Sequence, residues 1–69
     1  MRIQLELITT FGIFKSQIVD LNDSKIDNFQ EMSKEYYKKG LEMDLEDGAF
    51  AVFSPEVIKN SIFKINKNV

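Results

Sequence analysis

The stretch Leu41-Glu42-Met43-Asp44-Leu45-Glu46-Asp47-Gly48-Ala49-Phe50-Ala51-Val52-Phe53 reads as a β-hairpin, and its reading decides the fold class. Leu41, Met43 and Leu45 alternate with Glu42, Asp44 and Glu46, the period-two pattern of a strand with one face buried and one in water. Asp47-Gly48 is the strongest short hairpin signal in the chain, because Gly supplies the positive φ that a primed turn needs. The return segment, residues 49–53, is apolar at every position. Such a strand is predicted to be central, or covered on both faces.

Working outward, residues 21–40 carry the signature of a single helix lying on that hairpin's sheet. Its start has two readings. Asn22 as cap sets Leu21 against Ile26 in a hydrophobic staple, whereas Ser24 as cap forms a Ser-x-x-Asp box with Asp27. Ile26, Phe29, Met32 (or Ser33) and Tyr36 make one apolar stripe, so one helix face packs on a sheet. Asp23 and Asp27 near the start and Lys38 and Lys39 at the end suit the macrodipole. Gly40 is a natural residue to end the helix in the left-handed region.

At the N-terminal side, Ile3, Leu5 and Leu7 alternate with Arg2, Gln4 and Glu6, which predicts a half-buried strand. Gly12 marks a turn, and the β-branched run 13–19 predicts a second strand, so residues 2–20 form a hairpin. That second strand alternates poorly: Ile13 and Val19 fall on one face, Phe14 and Ile18 on the other. Beyond the Asp-Gly hairpin, Ser54-Pro55-Glu56 opens a helical turn with Ser54 as cap and Pro55 at the first helical position. Val57 and Ile58 anchor the turn, Asn60 ends it, residues 61–65 form a short fifth strand, and residues 66–69 fray. The predicted fold is α+β: a β-β-α-β-β domain with a helical turn and a last strand, mainly antiparallel, with one helix on one sheet face.

The 69 residues allow a single domain, residues 1–69. Burial contributes on the order of 100 kcal/mol by area, and ordering the chain costs on the order of 100 kcal/mol. Small chains usually close that gap with disulfides, a metal or a second chain. There is no Cys and no His, so thiol and imidazole chemistry and zinc sites with N or S ligands are excluded. No cofactor and no metal site is expected. Ser54 has no base near it in type or spacing, and Gly12, Gly40 and Gly48 stand alone rather than in a phosphate-cradling loop. No nucleophile, base and orienting group can be named, so the chain is not expected to be an enzyme. Gln4 and Glu6 break the apolar N-terminus, which is not a signal peptide, and residues 49–53 are too short to cross a membrane. A cytoplasmic protein with no membrane role is expected. The preference for Lys over Arg, with frequent Asn and Ile, fits the AT-rich coding of many bacteria and their phages.

Charge is unevenly spread. Residues 42–56 carry Glu42, Asp44, Glu46, Asp47 and Glu56 with no base, while residues 57–69 carry Lys59, Lys64 and Lys67 with no acid. The acidic row Glu42, Asp44, Glu46 and Asp47 suits a hard cation only if a second element adds oxygens. The simpler reading is a wet face whose carboxylates keep an edge strand from pairing with strangers. The C-terminal Lys/Phe strand gives a poor single-strand nucleic-acid signal, with one Arg in the chain and a pI near 5.0. Nucleic acid is therefore disfavoured as a partner. The alternative function is a weak single-strand binder through that strand, or a DNA-mimicking inhibitor through residues 42–47. Tyr37 falls off the helix stripe beside Lys34 and Lys38, as an amphipathic shoulder or a binding anchor.

One helix covers one sheet face, so Phe14, Ile18, Phe50 or Phe53, and Ile62 or Phe63 are left without cover. Apolar patches of that size mark interfaces. With Tyr37 these residues are the expected partner interface of a small interaction or regulatory protein. It is expected to self-associate, most simply as a two-fold dimer, and to act by binding another protein.

Overall fold

The centre of the molecule is β1 (Arg2–Thr9) in a computed structural model that describes residues 1–69. Its neighbours β2 (Gly12–Lys15) and β3 (Val19–Asp20) pair on one side and β6 (Ile62–Lys67) on the other, all antiparallel. A second antiparallel pair joins β4 (Leu41–Asp44) to β5 (Phe50–Phe53). Three short helices, α1 (Asp23–Ser33), α2 (Tyr36–Lys39) and α3 (Pro55–Lys59), complete a small α+β domain. The expected single sheet is thus two, stitched together at one residue. Ser16 bridges to Leu45, Gln17 N donates to Asp44 O at 3.0 Å, and Glu46 N donates to Lys15 O at 3.1 Å.

That stitch is possible because the run 13–19 is not one strand. Between the pairs Glu6–Lys15 and Ile3–Val19, β1 has Gln4 and Leu5 while the facing segment has Ser16, Gln17 and Ile18. The extra residue is a bulge, and it inverts the side-chain phase beyond it. Phe14 lies opposite Leu7 and Val19 opposite Ile3, both on the inner side of the sheet, although Val19, at the sheet's edge, stays partly in water. The poor alternation of 13–19 is corrected accordingly: Phe14 and Val19 share one face, Ile13 and Ile18 the other. At the bulge the Ser16 hydroxyl takes the place of a ladder carbonyl, accepting from Leu5 N at 2.8 Å. Ser16 N donates to Leu5 O, and the Ser16 carbonyl accepts from Gln4 Nε2 at 2.9 Å. Both side chains are buried.

The core holds Ile3, Leu5, Leu7, Ile26, Leu41, Met43, Phe53 and Ile58. Phe14, Phe29, Tyr36, Phe63 and Ile65 pack against it, with edge-on ring contacts of Phe14 with Phe53 and of Tyr36 with Phe63. Helices α1 and α3 place Ile26 and Ile58 on this inner side, and α2 places Tyr36 there.

Several sequence expectations are revised. The helix start is Asn22, whose Oδ1 accepts from Lys25 N; Ser24 donates its hydroxyl to that same oxygen instead of capping. The single helix breaks after Ser33. The Ser33 hydroxyl donates to Gln30 O at 2.6 Å, and Lys34 N and Glu35 N reach back only three residues, to Glu31 O and Met32 O. Side-chain bonding to a preceding carbonyl bends helices, and Met32 turns outward, 62% exposed. Gly40 has positive φ as expected, but at φ 83°, ψ −179° it lies outside the left-handed helical well, in a region nearly exclusive to Gly. The Asp47-Gly48 turn is not a primed one, because both primed types need positive φ at the first central residue and Asp47 does not have it. Residues 46–48 form the loop, with Gly48 N donating to Leu45 O, Leu45 N to Ala49 O, and Gly48 alone at φ 89°. Finally, the last strand extends through Asn66 and Lys67, which pair with Gln4 and Ile3 rather than fraying.

Candidate functional site

Strand β5 is not covered on both faces. Ala51 and Phe53 face the core, while Phe50 and Val52 project outward, opposite Asp44 and Glu42 of β4. It pairs only with β4, so it is an edge, and β4 lies between β5 and the Ser16 segment. The carboxylates of β4 therefore do not guard an edge; the edge is the apolar strand beside them.

Of the side chains expected at an interface, Phe14, Phe53 and Phe63 turn inward and belong to the packed interior. Ile18, Tyr37, Phe50 and Ile62 are exposed. Where two residues were in balance, the outward one is Phe50 rather than Phe53, and Ile62 rather than Phe63. Phe63 closes its ring against Tyr36, 5.4 Å between centroids, so the C-terminal strand presents lysines to water without a stacking ring. Glu42, Asp44, Glu46 and Asp47 are all exposed, but no three acidic groups converge as metal ligands would. Asp47 Oδ1 instead accepts from Ala49 N and shapes the turn. Ser54 accepts from Val57 N as the cap of α3.

The sheet register organises the outer face into rows, which sequence reasoning missed because a row needs the pairing of four segments. Ile8 of β1 lies opposite both Ile13 of β2 and Ile62 of β6. Ile13 and Ile62 are 60% and 61% exposed, and Phe11, at the adjoining hairpin tip, is 80% exposed. The next row is charged: Glu6 lies opposite Lys15 and Lys64, and Glu46 sits beside Lys15. Across β6, β1, β2 and the start of the 46–48 loop the order is Lys64, Glu6, Lys15, Glu46, alternating in sign. Asn66 Nδ2 donates to Glu6 Oε1 at 2.9 Å and fixes that carboxylate on the row.

No family model, curated protein or solved structure matches the chain.

A second feature lies where the helix breaks. A groove of about 420 Å³ runs between α1, α2 and the β4–β5 pair, floored by Tyr36, Leu41 and Phe53 and rimmed by Met32, Val52 and Lys39. Burial raises the Tyr36 phenol pKa above its ordinary value, so the ring stays neutral below about pH 10. No helix is long and apolar enough to cross a membrane.

Proposed function

We propose that the chain is a small, non-enzymatic interaction protein that self-associates and acts by binding another protein. One observation carries this reading: exposed apolar side chains gather on one face of the β1 sheet. Ile13 and Ile62, 60% and 61% exposed, flank Ile8 there, with Phe11 at the adjoining hairpin tip. A contiguous apolar patch is the ordinary mark of a protein interface. The groove beside α2, apolar at its floor and bordered by Glu35, Lys39 and Glu42, offers a second, smaller surface for a partner's side chains.

Sedimentation equilibrium across micromolar to millimolar concentration tests it. The expected result is a mass that rises from the 8.0 kDa of one chain towards twice that value. A mass of one chain throughout, with a cooperative melt, contradicts it.

A further inference from the structure

The outer face of the sheet is complementary to itself under one particular symmetry. On it the apolar row Ile62, Ile8, Ile13 runs parallel to the charged row Lys64, Glu6, Lys15, Glu46. Two such faces can meet through a two-fold axis lying in the interface, either across the strands or along them. An axis across the strands through the charged row sets each charge against its own copy, which repels, and one through the isoleucine row leaves the charged row without its complement. An axis along the strands, between β1 and β2, reverses the row: Lys64 meets Glu46, and Glu6 meets Lys15, in both directions. The same operation lays Ile8 of one copy over Ile13 of the other.

We infer, building on the self-association proposed above, that the occupant of this face is a second copy of the chain, packed sheet to sheet about an axis running along the strands. The area agrees. The molecule measures 30 × 26 × 16 Å. Its broadest projection is therefore at most roughly 800 Å², an upper bound that reaches what each partner contributes to a standard interface. Stacked sheets cross at about −30°, which shifts the ends of the charged row by only a few ångströms, within reach of the long Lys64 stem. The axis also leaves β5 and the groove beside α2 at the margin, open to a different protein.

A mixing experiment tests the arrangement. Glu46 and Lys64 stand at opposite ends of the row in one chain and meet only across the axis. In a homodimer, Glu46→Lys makes both of these contacts lysine against lysine, and Lys64→Glu makes both carboxylate against carboxylate. Each variant alone is expected to dimerise at least about tenfold more weakly than the parent chain, since facing like charges are strongly disfavoured. Mixed in equal amounts, the two variants relieve both contacts at once: Glu46→Lys brings its two lysines to the two carboxylates of Lys64→Glu, and a heterodimer is expected at parental concentration. Both positions are exposed, and far-UV circular dichroism verifies that each variant is folded. Ile13→Lys, at an exposed position on the same face, is expected to weaken the dimer without a rescuing partner. A parent that dimerises while the variants dimerise equally well overturns this face and leaves self-association standing. Weakened variants that fail to pair when mixed overturn the axis. A parent that is monomeric throughout overturns both.

Discussion

Three residues carry more of the structure than their size suggests. Ser16 uses its hydroxyl, amide and carbonyl to hold a bulge between two sheets, and it is buried. Ser16→Ala leaves the Leu5 amide without its acceptor, at a cost of about 1–3 kcal/mol, measurable by urea unfolding. Gly40 is constrained twice over: its φ of 83° is disfavoured for other residues, and a Cβ there would stand 2.6 Å from the Phe53 carbonyl oxygen. Gly40→Ala is expected to cost roughly 2–3 kcal/mol. Tyr36 has its folded-state pKa raised by burial, so the folded chain holds the phenolic proton more tightly than the unfolded one. The resulting stability is complete below the unfolded pKa, about 10, and is lost as pH rises through the folded value. Melts above pH 10 should therefore show a steeper loss in the parent than in Tyr36→Phe, with Tyr37→Phe, at an exposed ring, as the control.

Among the elements, β5 separates two accounts of an all-apolar strand. Residues 49–53 predicted cover on both faces; in the fold, Val52 is 68% exposed on an edge. Val52→Lys distinguishes them. At a surface position it costs no more than about 0.5–1 kcal/mol, whereas an unpaired lysine buried in a central strand would unfold so small a domain. The alternating residues of β1 and β4 made their buried faces legible, because period-two patterning reports which side meets the core. The Ser54-Pro55 cap was legible for the same kind of reason, meeting a local backbone need; Asn22 was one of two candidate caps, and Gly40 was legible as a helix end with positive φ but not in its extended ψ. The bulge at Ser16 was not, since its cause is a partner strand, β4, that lies far along the chain. Nor was the helix break, where a single Ser33 hydroxyl overrides a well-formed stripe.

At the scale of the whole molecule, the sequence indicated that apolar residues exceed what one helix can cover, but not which ones remain outside. That choice depends on register. A bulge of one residue put Ile18 on the outer face and Val19 on the inner, and the pairing of β6 with β1 sent Ile62 out and Phe63 in. The same register built the Ile62–Ile8–Ile13 row and the alternating charges beside it, from segments that no local pattern connects. The central claim is that this face is an interface between copies. Methyl resonances of the isoleucines, recorded by NMR over a dilution series, test it most directly. Ile8, Ile13 and Ile62 are expected to shift with concentration while Ile3, Ile26 and Ile58, in the core, stay fixed. Resonances of Ile8, Ile13 and Ile62 that do not move across the series would contradict it.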